Sequence, residues 1–119
     1  MPRARRVQEV QAAVLVVNPF ASRVTQEKLA RVVAALAPHV DVTVKLTERR
    51  GHATELVAEA CRAGTGAVLV FSGDGGFNEA LNGLEADIPI GFLPGGGTSV
   101  LSRALGLPAD PVEAAHRIG

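Results

Sequence analysis

The stretch AVLVFSGDGGFNE, residues 67–79, joins an apolar run to a glycine-rich turn and then to a helix-forming segment. The run at 67–71 is typical of a strand that is buried on both faces of a parallel sheet. In the turn at 72–76, free backbone N–H groups would meet the positive end of the following helix dipole, which predicts an anion site. Asp74 would repel a bare phosphate. We therefore expect a divalent cation or a hydroxyl donor between this carboxylate and a bound phosphate.

Three further segments have the pattern of strands. Residues 12–17 and 88–93 are largely apolar, whereas apolar and polar residues alternate over 40–46, as in a half-buried strand near a sheet edge. Amphipathic helical segments separate these strands. The alternation predicts a three-layer, doubly wound α/β domain of the Rossmann-like type, with a mostly parallel sheet and right-handed crossovers.

Capping and helix-breaking residues predict where the helices begin and end. Thr25 suits an N-cap and Pro38 stops the first helix. We predict that the second helix ends near Gly64, that the third ends at Gly83 and that a fourth runs through Leu105.

The composition is that of a single globular domain. The chain has 119 residues, of which 47% are hydrophobic, and its 12 basic and 12 acidic side chains cancel. This balance and the scarcity of aromatic residues argue against binding to nucleic acid. A single cysteine is compatible with a reducing compartment, and the apolar run at 12–17 is far shorter than the roughly 20 residues that span a bilayer. We expect a cytoplasmic protein without a transmembrane segment.

Three loops would leave the predicted strands at the same edge of the sheet. They comprise residues 18–22, 72–76 and 94–99. In doubly wound sheets, ligands bind at the carboxyl ends of the strands, so these loops can line one crevice. The three successive glycines at 95–97 favour close approach of a ligand to the backbone.

Two common phosphate-binding motifs are excluded. The chain contains no Gly-Lys pair, which the P-loop requires, and the first strand is followed by Asn18-Pro19 instead of the dinucleotide pattern G-x-G-x-x-G. Asn78 and Glu79 are predicted in the first turn of the third helix. Two interpretations remain open for them: helix capping with dipole complementarity, or a polar cluster with Asp74 around a metal-nucleotide.

Taken together, the motifs resemble the catalytic domain of the diacylglycerol kinase family, which includes bacterial lipid kinases and sphingosine kinases. The resemblance covers nearly the whole chain from residue 12 and rests on motifs in matching order. These are Asn18-Pro19, Thr47 with Gly51-His52-Ala53, SGDGGFNEALNGL at 72–84, and IGFLPGGGTSVLSRALGLP at 90–108.

The resemblance implies transfer of the γ-phosphate of ATP to a lipid hydroxyl, such as that of diacylglycerol, with Mg²⁺. It implies that Asp74 serves Mg²⁺ through the nucleotide. The residues that it implies for ATP binding are Asn18, Pro19, Phe20, Ala21, Ser22, Thr47, Gly73, Asp74, Gly75, Gly76, Phe77, Asn78, Glu79, Gly97 and Thr98.

This chain departs from the usual family pattern at three places. The family usually has Gly-Gly-Asp-Gly-Thr, where this chain has Ser72 first and Gly76 last, so that the final hydroxyl is lost. Ser99 stands at the place of an asparagine, and the hydroxyl of Ser22 is shifted by one position.

Two alternatives to a lipid kinase are kept. The acidic glycine loop alone would also fit an NAD kinase-type phosphotransferase, which the Asn18-Pro19 loop and the segment at 94–108 disfavour. Gly76 and Ser99 support the second alternative, a degenerate regulatory domain that has lost ATP binding.

The resemblance also implies that the chain is only part of an enzyme. We expect an N-terminal tail at 1–11 and a nucleotide-binding domain at 12–119, which the chain's end truncates within a helix. A second, β-rich domain that is absent from this chain would bind the lipid at the membrane surface and supply the general base, so no catalytic residue is assigned here. We expect peripheral association with the inner membrane face, no activity of the chain alone, and a homodimer as a candidate assembly.

Overall fold

The computed structural model describes residues 11–22, 24–85 and 88–94, together with Val112 and Ala115. In these residues strands and helices alternate, as predicted. The elements are β1 (Ala12–Val17), α1 (Gln26–Leu36), β2 (Asp41–Leu46), α2 (His52–Arg62), β3 (Ala67–Ser72), α3 (Asp74–Leu81) and β4 (Ile90–Pro94). In the described part of the chain, no helix is long and apolar enough to cross a membrane.

The four strands form one parallel sheet in the order β2-β1-β3-β4. The chain runs outward from β1 to β2, and then crosses over β1 to reach β3 on its other side. The loops that follow β1 and β3 therefore lead in opposite directions. A doubly wound sheet has its ligand crevice at such a switch point, outside the carboxyl ends of the strands.

Helices cover both faces of the sheet, which confirms the predicted three-layer architecture. Leu15 and Val17 of β1 pack with α1, whereas Val16, which lies between them, packs with α2 and α3. The helical residues Val112 and Ala115 join the core on the α1 face. All six residues of β3 are buried, as expected for a central parallel strand.

The predicted helix ends are confirmed where the structure describes them. The Thr25 hydroxyl caps α1 by accepting a hydrogen bond from the backbone N–H of Lys28 at 3.1 Å. The C-cap of α1 is Ala37, directly before Pro38. Gly64 follows α2 with φ of +79°, a left-handed conformation that glycine adopts without strain.

Two predictions need correction. α3 begins at Asp74, so residues 74–77 form its first turn and the loop after β3 is shorter than predicted. Asn78 and Glu79, both predicted in the first turn, consequently lie in the second turn. β2 lies at the sheet edge, as predicted, but the strand is not half-buried as predicted. Its packing against the core is concentrated near its start, at Val42, and Leu46 at its end is 49% exposed. The predicted helix through Leu105 lies outside the described residues.

Helices α2 and α3 approach each other closely at Gly83. A Cβ atom at this glycine would lie 2.2 Å from the backbone oxygen of Thr54 in α2. Nearby, the Thr54 hydroxyl donates a hydrogen bond to the carbonyl oxygen of Glu79 at 2.6 Å. The absence of a side chain at Gly83 therefore sets how near the two helices pack.

Replacement of Gly83 by alanine should destabilise the fold by roughly 1–3 kcal/mol, because the added methyl group would push the backbone of Thr54 away. Gly75→Ala is the matched control, since a Cβ atom there meets nothing within 4 Å. We expect this control to be neutral or to stabilise by up to about 1 kcal/mol, as for glycine to alanine in a helix. Urea unfolding measures both, and equal midpoints for wild type and Gly83→Ala would contradict the packing argument.

Candidate functional site

A cavity of about 310 Å³ opens at the carboxyl edge of the sheet, at the switch point between β1 and β3. Its walls come from the carboxyl ends of β1 and β3, from the segment that follows β2, from the first turn of α2 and from the first two turns of α3. The polar or loop residues that line it include Asn18, Phe20, Thr47, Ser72, Gly76 and Glu79. The structure thus brings together two of the three predicted loops; the third lies outside the described residues beyond Pro94.

Backbone hydrogen bonds fix the loop that follows β1. The N–H of Asn18 donates to the carbonyl of Phe71 at 3.0 Å, so the loop leaves the sheet at a defined point. The Asn18 side-chain oxygen then accepts a hydrogen bond from the N–H of Phe20 at 3.0 Å, and the Asn18 carbonyl accepts one from Ala21 at 3.2 Å. This turn holds the Phe20 ring at the cavity, although the residue is 79% exposed.

Thr47 places a buried hydroxyl against the cavity. The residue follows β2, its N–H donates to the carbonyl of Val17 at 2.8 Å, and it is only 8% exposed. Its hydroxyl makes no hydrogen bond to any residue that the structure describes. Buried polar groups are normally satisfied, and at a cavity the partner of this hydroxyl can be water or a ligand.

Glu79 caps a neighbouring helix. Its Oε1 accepts a hydrogen bond from the backbone N–H of Ala53 at 3.1 Å, in the first turn of α2. The N-cap of α2 is Gly51, which has no side chain to perform this task. The structure thus shows capping and dipole complementarity, but at α2 and not at Glu79's own helix. Glu79 also lines the cavity.

The N-terminus of α3 adjoins the cavity through Gly76. Gly73 is the N-cap and provides no side-chain hydrogen bond, so the first N–H groups of this eight-residue helix lack a side-chain cap. Asp74 is its first residue and is half-buried. Phe77 packs in the core with its ring centroid 4.8 Å from that of Phe92, and Asn78 is exposed.

The remaining predicted site residues fall into two groups. Pro19, Ala21 and Ser22 belong to the turn after β1, whereas Gly97 and Thr98 lie outside the described residues. Among the described residues, no group of three or more His, Cys, Asp or Glu side chains could hold a metal ion.

The sequence reasoning missed a charged segment that follows β2. Arg49 and Arg50 both line the cavity. Arg49 forms an ion pair with Glu55, whereas Arg50 makes none with any described residue. The N–H of Glu48 donates to Nδ1 of His52 at 2.9 Å, which ties this segment to the start of α2. The rule that ligand loops follow parallel strands would have found these residues, had it been applied to the strand at 40–46.

The ion pair between Arg49 and Glu55 changes the titration of both groups. The hydrogen bond from Arg49, aided by its charge, lowers the pKa of Glu55, and the same contact raises the pKa of Arg49. Since the folded-state pKa of Glu55 is lowered, the pair stabilises the fold above the ordinary carboxyl pKa. This contribution disappears as the pH falls through the lowered pKa.

Comparison with protein families decides the relationship of this chain. The sequence model of the diacylglycerol kinase catalytic domain family matches residues 12–119. The chain belongs to the diacylglycerol kinase catalytic domain family. The resemblance read from the sequence motifs is thereby confirmed.

Individual family members agree with this assignment. The chain is 34% identical over 116 residues to a diacylglycerol kinase of Mycobacterium tuberculosis, covering 95% of this chain and 38% of that protein. It is 37% identical over 108 residues to the mitochondrial acylglycerol kinase of Xenopus laevis, covering 81% of this chain and 24% of that protein. A diacylglycerol kinase structure from Bacillus anthracis superposes with a TM-score of 0.84 at 32% identity, covering 92% of this chain and 42% of the other. The chain thus spans less than half the length of these relatives.

We predict that Glu79→Ala destabilises the fold by about 1–2 kcal/mol, because the first turn of α2 loses its cap. Glu79→Gln should retain most of the stability, since its side-chain oxygen can still accept from the N–H of Ala53. Glu59→Ala serves as the control, because Glu59 is exposed in α2 and its side chain makes no hydrogen bond or ion pair with the described residues. Equal urea midpoints for Glu79→Ala and Glu59→Ala would show that the cap does not contribute.

Proposed function

We propose that this chain is the nucleotide-binding part of a lipid kinase, which transfers the γ-phosphate of ATP to a lipid hydroxyl such as that of diacylglycerol. The observation that carries the proposal is the cavity at the switch point of the sheet, which is lined by the buried residue Thr47, whose hydroxyl has no hydrogen-bond partner in the described structure. The family relationship supports the reaction class.

The cavity supplies what phosphoryl transfer requires from a protein, which is positioning and charge stabilisation more than covalent chemistry. The N-terminus of α3 presents N–H groups toward bound phosphates. Arg50, which has no ion-pair partner among the described residues, adds a positive charge at the same cavity. On this proposal Phe20 lies against the nucleoside, since its ring is an exposed apolar face at the cavity.

Mg²⁺ fits this donor set. Mg²⁺ is usually bound by one or two carboxylates together with substrate phosphates, and not by an all-protein cage. Asp74 at the start of α3 is the carboxylate that would hold it together with the nucleotide, which agrees with the lack of a three-residue metal cluster among the described residues. When bound, Mg²⁺ would neutralise phosphate charge; Asp74 would fix its position.

The lipid site and the general base are proposed to lie in the part of the enzyme that this chain does not span. The chain covers 38% of the M. tuberculosis relative and 42% of the B. anthracis structure. The apolar acceptor requires contact with a membrane surface, whereas apolar and polar residues together line the cavity at the end of the sheet. We therefore propose that lipid binding and membrane association belong to the remainder of the protein.

Calorimetric titration with Mg-ATP tests the proposed site. Thr47→Val should weaken Mg-ATP binding about two- to tenfold, the range of one lost hydrogen bond, while leaving stability unchanged or slightly higher because an unsatisfied hydroxyl is removed. Thr43→Val is the matched control, since Thr43 is exposed on β2. Asp74→Ala should abolish or strongly weaken binding.

Each alternative function predicts a different experimental result. Absence of Mg-ATP binding by the wild-type chain would contradict the proposal and favour the degenerate regulatory domain. Binding of NAD, with phosphorylation of NAD by the complete protein, would favour the NAD kinase-type phosphotransferase. Equal affinities of wild type and Thr47→Val would contradict the role of the Thr47 hydroxyl.

We further predict that the 119-residue chain alone transfers no phosphate to diacylglycerol, because on this proposal the lipid site and the general base lie in the part of the enzyme that the chain does not span. The measurement is transfer of radioactive phosphate from ATP to diacylglycerol in mixed micelles. A complete kinase of the family serves as the positive control. Robust phosphorylation by the isolated chain would contradict the division of roles.

A further inference from the structure

Ser72 is a buried cavity residue that the sequence motifs did not identify as a contact. It is the last residue of β3, is 2% exposed, and lines the cavity. Its hydroxyl donates a hydrogen bond to the carbonyl oxygen of the adjacent Gly73 at 2.8 Å. The hydroxyl therefore lies beside the N-terminus of α3, where the N-cap residue Gly73 provides no side-chain hydrogen bond.

The side chain of Ser72 fits only because residue 76 is a glycine. A Cβ atom on Gly76 would lie 2.8 Å from both Cβ and Oγ of Ser72, closer than such atoms approach in proteins. A Cβ atom on Gly75 would meet nothing within 4 Å, so the restriction is particular to position 76. Side chains at 72 and 76 thus compete for one volume at the cavity wall.

We propose that the Ser72 hydroxyl donates a hydrogen bond to a phosphate oxygen of the bound nucleotide, and that Gly76 is the partner that makes room for it. The inference rests on the proposed nucleotide site. A charged phosphate oxygen is a stronger acceptor than the neutral carbonyl of Gly73, so the hydroxyl can rotate from one to the other when the nucleotide binds.

This assignment gives a physical account of the glycine-rich segment at 72–76, which begins with Ser72 and ends with Gly76. Both positions border the same volume, so a side chain at the end of β3 requires a glycine in the first turn of α3. The pair thus provides one hydroxyl donor at the cavity.

A double-substitution cycle of Ser72→Gly, Gly76→Thr and their pair, followed by calorimetry with Mg-ATP, tests the proposal on the 119-residue chain, with Ser72→Ala as a further single variant. Ser72→Ala removes only the hydroxyl and should weaken binding roughly tenfold, as for a lost hydrogen bond to a charged group, with little change in melting temperature. Gly76→Thr alone should weaken binding and lower the melting temperature because of the clash. The pair Ser72→Gly with Gly76→Thr should recover most of the wild-type affinity.

A second cycle controls for effects of the helix itself. Ser72→Ala combined with Gly75→Ala should give additive changes, because a side chain at 75 does not meet Ser72. Strong coupling between 72 and 76, together with additivity between 72 and 75, is the expected result.

The outcomes separate this inference from the proposed function. If the wild-type chain does not bind Mg-ATP, both proposals fail. If it binds and Ser72→Ala binds equally well, or if the Ser72→Gly and Gly76→Thr pair is no better than Gly76→Thr alone, the inference fails while the nucleotide site stands.

Discussion

The parallel pairing of β1 with β3 is the constraint on which the rest of the structure depends. Its register places Val17 opposite Phe71, so the two strands end together and their loops diverge from one point. The hydrogen bond from the N–H of Asn18 to the carbonyl of Phe71 extends this pairing into the first loop. Burial of β3 on both faces holds the pair in the centre of the sheet. A one-residue slip would exchange the two faces of each strand and separate the loops that form the cavity.

The polar side chains that line the cavity differ in the hydrogen bonds that they make within the protein. Glu79 is engaged in capping α2, so it contributes to the shape of the site through the fold. The Ser72 hydroxyl donates to the carbonyl oxygen of Gly73 at 2.8 Å, whereas the Thr47 hydroxyl has no partner among the described residues. Unsatisfied buried hydroxyls cost stability, and a charged ligand that accepts hydrogen bonds from them removes this cost. On the proposed function, part of the binding energy would therefore come from hydrogen bonds that the hydroxyls of Thr47 and Ser72 donate to the nucleotide.

The sequence predicted the fold well because hydrophobic period and helix caps are local properties. The strands, the Thr25 cap and the edge position of β2 were all correct. The contacts that were missed join residues far apart in the chain or depend on exact backbone positions. The hydrogen bond between Glu79 and Ala53 spans 26 residues, and the competition between Ser72 and Gly76 becomes visible only when α3 is known to begin at Asp74. Periodicity carries no information on either.

The central claim is that Mg-ATP binds at the carboxyl edge between β1 and β3, and chemical-shift mapping of backbone amides tests it most directly. On addition of Mg-ATP, we expect the largest shifts at the amides of Thr47, Ser72 and Gly76. Arg31, which is exposed on α1 on the opposite face of the sheet, should not shift. Saturable shifts confined to the cavity residues would support the account. Shifts that are absent, or that are centred on α1, would contradict it.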